Sequence, residues 1–86
     1  MHFSVSRMSA TAGRPFEIIV DNREQGIPHN LSIYVDDSAK ELIAKSEISI
    51  GPAADVVEVP SLGRGTYFFR CDVHRLEMTG VLEVAP

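Results

Sequence analysis

Apolar and polar positions alternate with a period of two in several short runs along this chain, the pattern of strands that bury one face. In Pro15-Phe16-Glu17-Ile18-Ile19-Val20-Asp21, the residues Phe16, Ile18 and Val20 share a face. In Asn30-Leu31-Ser32-Ile33-Tyr34-Val35, Leu31, Ile33 and Val35 do so. His2-Phe3-Ser4-Val5-Ser6 alternates as well, and Val57-Glu58-Val59 is a short strand stopped by Pro60. Thr66-Tyr67-Phe68-Phe69-Arg70-Cys71 is aromatic and strand-prone, with Tyr67, Phe69 and Cys71 on one side. Gly80-Val81-Leu82-Glu83-Val84 is the last strand, with Leu82 and Val84 pointing inward. Turn signals separate these runs at Ala12-Gly13-Arg14-Pro15, Gln25-Gly26-Ile27-Pro28, Gly51-Pro52 and Leu62-Gly63-Arg64-Gly65. Short strands at this spacing predict an all-β chain, an antiparallel sandwich or barrel.

One segment departs from the pattern. Ser38-Ala39-Lys40-Glu41-Leu42-Ile43-Ala44-Lys45 has helix-forming residues but is too short to stand as a helix without packing. It reads as a crossover loop, followed by a short strand at Glu47 to Ile50. The chain has 86 residues and no repeat or linker, so residues 1–86 form one domain.

Composition narrows the function. The net charge of -4, with basic residues scattered singly, argues against a nucleic-acid partner. One cysteine excludes an intramolecular disulfide. No apolar run is long enough to cross a membrane, and Met1 to Gly13 carries no signal-peptide apolar region. That start fits a cytoplasmic protein, or a mature domain cut from a longer precursor.

The chemistry concentrates in Cys71-Asp72-Val73-His74-Arg75-Leu76-Glu77-Met78. A lone cysteine at a strand end is ordinarily a small buried hydrophobe. Here a histidine follows after three residues and a methionine four later, in a loop short enough for all three side chains to converge. Thiolate, imidazole and thioether together suit a soft, redox-active metal, copper above all. A type 1 copper site needs a second imidazole. The candidates are His2, at the chain terminus, and His29, which opens a strong strand after the stiff Gly26-Ile27-Pro28 approach. His29 is the better placed. Asn30 beside it is suited to tie this strand to the ligand loop by hydrogen bonding. Copper enzymes are disfavoured: a binuclear purple centre needs two cysteines, and a multicopper oxidase needs histidines where Arg70 and Asp72 flank Cys71. No Ser/His/Asp set or paired-carboxylate motif is present, so no enzymatic turnover is expected.

The run from Tyr67 to His74, with Met78-Thr79-Gly80-Val81-Leu82-Glu83-Val84, resembles the C-terminal signature of the cupredoxins, the plastocyanin-, amicyanin- and azurin-like blue copper proteins. Gly65-Thr66-Tyr67 resembles the family's turn into the aromatic strand, and Pro28-His29-Asn30 its upstream ligand strand. The likeness covers roughly Arg14 to Ala85. It implies a small antiparallel Greek-key β-sandwich that binds one copper ion cycling between Cu(I) and Cu(II). The equatorial ligands it implies are His29, Cys71 and His74, with Met78 axial. It also implies electron transfer to redox partner proteins docking near His74, across Pro28, Ile27, Leu76 and Val73. Placement outside the cytoplasm follows from the same likeness, in the periplasm, at the cell surface or in the thylakoid lumen, as a monomer or within a membrane-anchored precursor. Two departures stand out: Arg75 replaces the proline that many relatives carry, and the chain is shorter than most members. The rivals are a copper-carrying or copper-sensing module with the same ligands and a metal-free adhesive sandwich.

Overall fold

The structure is a computed structural model and describes residues 3–86. The strands are β1 (Arg7–Thr11), β2 (Phe16–Asn22), β3 (Pro28–His29), β4 (Ser32–Tyr34), β5 (Leu42–Lys45), β6 (Ser49–Ile50), β7 (Ala53–Val59), β8 (Gly65–Arg70) and β9 (Thr79–Ala85). Five of them form one sheet in the order β1-β9-β8-β4-β5. Two pairs, β2-β7 and β3-β6, are hydrogen-bonded apart from it. The core lies between the layers. Ile33 from β4, Phe69 from β8, and Leu82 and Val84 from β9 meet Val57 and Val59 from β7, joined by Leu31. Phe16, Ile18 and Val20 of β2 pack against this cluster, as their alternation requires. Removing a ring such as that of Phe69 from a core of this kind costs about 3–5 kcal/mol.

The expected all-β sandwich is present, with three local differences. First, residues 3–6 are not a strand, and His2 lies outside the described residues. The first strand is β1, five residues further on, and it runs parallel to β9 rather than antiparallel. Phe3 instead lays its ring edge-on against Phe69, with centroids 5.4 Å apart, and Val81 N donates to Ser6 O at 2.9 Å. Gly80 makes this close approach feasible, because a Cβ there would run into the Phe69 ring and the Ser6 carbonyl.

Second, the helix-forming segment contributes a strand. β5 pairs antiparallel with β4 and packs Ile43 and Ala44 against the core. An open sheet edge and an apolar surface to cover outweigh helix propensity over so few residues. The short strand expected at Glu47 to Ile50 is confined to Ser49–Ile50. Third, Val35 does not share the inward face of Leu31 and Ile33. The ladder shifts register between Ile33 and Tyr34, β4 ends at Tyr34, and Val35 is exposed.

Two features aim the functional end of the molecule. The strand carrying residues 28–34 breaks after His29, so β3 pairs with β6 while β4 joins the large sheet. Across the break, buried Ser46 exchanges hydrogen bonds with Leu31, its N donating to Leu31 O at 2.9 Å and its Oγ accepting from Leu31 N at 3.0 Å. At the end of β8, Cys71 N donates to Met78 O at 2.9 Å, which closes the loop 71–78 on itself.

Candidate metal centre

Cys71 continues the inward face of β8 and is fully buried. His29, at the end of β3, is also buried, at 5 % exposure. Its Nδ1 lies 3.9 Å from Cys71 Sγ. Two donors sharing one small ion, with bonds of about 2.3 Å to sulfur and about 2.0 Å to nitrogen at roughly 120°, stand about 3.7 Å apart. The pair is therefore spaced as co-ligands.

The opposite ring nitrogen explains why Nδ1 faces the sulfur. His29 Nε2 lies 2.9 Å from Glu24 Oε1, and a carboxylate accepts, so Nε2 carries the proton and donates. In the neutral ring this leaves the Nδ1 lone pair directed at Cys71. Glu24 is itself held by a stapled loop. Buried Asn22 donates through Nδ2 to Ile27 O at 2.8 Å and Ser49 O at 3.0 Å, while its Oδ1 accepts from Glu24 N at 3.1 Å. Gly26 turns this loop at φ 76°, a conformation that favours glycine.

His74 reaches the same region from the loop. Its ring centroid is 4.9 Å from that of His29, and its Nε2 donates to Pro28 O at 3.1 Å. Both imidazoles thus commit Nε2 to an oxygen acceptor. Met78 is buried, and with His29 it lines one cleft of about 520 Å³ whose other walls include Phe3, Met8, Ile18 and Leu31. His29, Cys71 and Met78 are brought together at one end of the sandwich. Among the described residues, no three His, Cys, Asp or Glu side chains close on a single point, so His74 stands beside the Cys71–His29 pair rather than on it.

Asp72 points to the other side of the strand. Its carboxylate accepts from Ser32 Oγ, from Tyr34 Oη at 2.8 Å, from Arg70 Nε at 2.9 Å and from Asn30 Nδ2 at 3.2 Å. Its backbone N donates to Asn30 Oδ1 at 2.8 Å. Asn30 therefore ties the strand of His29 to the loop of Cys71, as its place in the sequence suggested. Burial works against the ionised carboxyl, but the bonds from Ser32, Tyr34, Arg70 and Asn30 outweigh it and lower the Asp72 pKa to about 2. Burial likewise opposes the Arg70 charge, yet bonding to Asp72 and Tyr34 raises its pKa.

Other features that shape this end carry no signal in the sequence. Asn22, Glu24 and the Asp72 network act through contacts with no short motif, apart from the single hint of a carboxylate five residues before a histidine.

No protein-family model and no curated protein sequence matches the chain. Solved structures do. The chain superposes on auracyanin A, a "blue" copper protein from the green thermophilic photosynthetic bacterium Chloroflexus aurantiacus, with a TM-score of 0.85 and 20 % identity, covering 96 % of this chain and 88 % of that one. For the dithionite-reduced auracyanin of Roseiflexus castenholzii the TM-score is 0.87 at 18 % identity, covering 96 % and 86 %. For a reduced Cu(I) form of an amicyanin variant it is 0.68 at 20 % identity, covering 98 % and 73 %. At such identities the likeness is one of fold, and that fold is the cupredoxin sandwich.

Proposed function

We propose that this chain is a type 1 copper protein that carries single electrons between redox partners, with His29 and Cys71 as equatorial ligands, His74 as the third once its ring turns onto that pair, and Met78 as the axial one. The observation that carries this is the buried Cys71–His29 pair, spaced as co-ligands, with the imidazole tautomer fixed by Glu24. Copper bound there would supply a one-electron Cu(I)/Cu(II) couple. The protein contributes rigidity. His29 is tethered by Glu24, and the loop by the Cys71–Met78 backbone bond. Ligands held this firmly change little between oxidation states. Full burial of Cys71 keeps water from the thiolate.

Partners would dock near His74. Leu76 is 98 % exposed, Val73 is also exposed, and Ile50 stands opposite Pro28 in the β3-β6 ladder. Pro28, whose carbonyl accepts from His74, would join them in an apolar docking surface. The auracyanin and amicyanin likeness favours a location outside the cytoplasm, in the periplasm or at the cell surface.

Protein-film voltammetry of the copper-loaded chain tests the shuttle role. The expected result is a reversible one-electron wave, with copper retained through repeated cycling. Loss of copper to a competing thiol acceptor on each reduction would instead identify a copper carrier.

A further inference from the structure

The Asp72 network holds more charge than loop anchoring requires. Asp72 follows Cys71 directly and is hydrogen-bonded to Asn30, the residue after His29. One carboxylate is thus linked to the chain neighbours of two proposed ligands. Because side chains alternate along the strand, Asp72 faces away from the sulfur and is not itself a ligand. Its cationic partner is Arg70, whose guanidinium also stacks over the Tyr34 ring at 4.8 Å. The two side chains are 20 % and 29 % exposed, so both charges act through a medium less screening than water. Partly exposed ion pairs add little to stability. What a neutral network cannot supply is fixed charge on the two residues that flank Cys71.

We infer that Asp72 and Arg70 form a fixed-charge pair that sets the reduction potential of the copper site. The oxidised site carries one more positive charge than the reduced one. A nearby anion therefore favours the oxidised form and lowers the potential, and a nearby cation raises it. Asp72 and Arg70 act with opposite sign, and Tyr34 positions both without contributing charge.

This inference rests on the type 1 copper assignment, and one experiment separates the two. The reduction potentials of the copper-loaded wild type, Asp72→Asn, Arg70→Gln, Arg70→Lys and Tyr34→Phe are measured at one pH and ionic strength. Asp72→Asn should raise the potential and Arg70→Gln lower it. Each should change the equilibrium with a fixed redox partner by about tenfold, which is about 59 mV for a one-electron couple. Arg70→Lys, which keeps the charge, and Tyr34→Phe should stay near the wild type, although Tyr34→Phe lowers the stability of the metal-free protein. Potentials that do not move, or that move the same way in both charge variants, would overturn the inference while leaving the copper site intact. If the wild type forms no thiolate-to-copper band, the copper assignment falls and the inference with it. Should Asp72→Asn fail to fold, Arg70→Gln against Arg70→Lys decides alone.

Discussion

Which nitrogen of a histidine is free is a matter of what the other nitrogen touches. His29 meets Glu24 on one side and Cys71 on the other. Glu24→Gln keeps the length of that side chain but allows the amide to face the ring through either its oxygen or its nitrogen. The expected outcome is copper binding weakened by about 10–100-fold, the usual cost of losing such an outer partner, measured by competition with a chelator. His29→Ala should open an equatorial position, seen as a changed copper spectrum that added imidazole restores. Met78→Leu should keep copper and shift the reduction potential, because the axial thioether tunes it. An unshifted potential in that variant would remove Met78 from the ligand set. At this scale the sequence was informative where spacing is short. Cys71, His74 and Met78 lie within one loop, and the strand that His29 opens brings it to Cys71, while His74 stands beside that pair. Glu24 was not, because its carboxylate reaches His29 only through a loop fixed by Asn22, Ile27 and Ser49.

Strand identity was legible wherever alternation ran over several residues, as in β2, β8 and β9. It was less so where tertiary contacts decide. The segment at Leu42–Lys45 takes strand geometry because β4 offers it an edge, and the first strand forms at Arg7–Thr11 because β9 offers another. The Asp72 network belongs to this scale, since it welds β4 to the start of the 71–78 loop. Its folded pKa of about 2 lies below the unfolded carboxylate value of about 3.9. The stabilisation it gives is therefore complete above about pH 4 and is lost as the pH falls toward 2. Urea unfolding of the metal-free protein should show a steeper loss of stability over that range in the wild type than in Asp72→Asn. Equal slopes would contradict a carboxylate bound in this way. Gly80 gives a second test of element packing. Gly80→Ala should destabilise the chain and displace Phe3 from Phe69, read as a lower melting temperature and altered near-ultraviolet circular dichroism.

For the molecule as a whole, a small sandwich has a limited core, and an ion bound between β3 and the loop after β8 would add to it. A ligand that binds only the folded state stabilises it by about 2.7 kcal/mol when present at 100 times its dissociation constant. Copper should raise the melting temperature by several degrees, and Cys71→Ser should largely abolish that increment. His29, Cys71 and Met78 lie at one end of the sandwich, where the β3-β4 break and the 71–78 loop meet. The measurement that tests this most directly is the visible absorption spectrum of the purified protein with one equivalent of Cu(II), beside a Cys71→Ser control. An intense thiolate-to-copper band present in the wild type and absent from the control is the expected result. A colourless or weakly coloured wild-type adduct, or the same band in the control, would contradict the type 1 assignment.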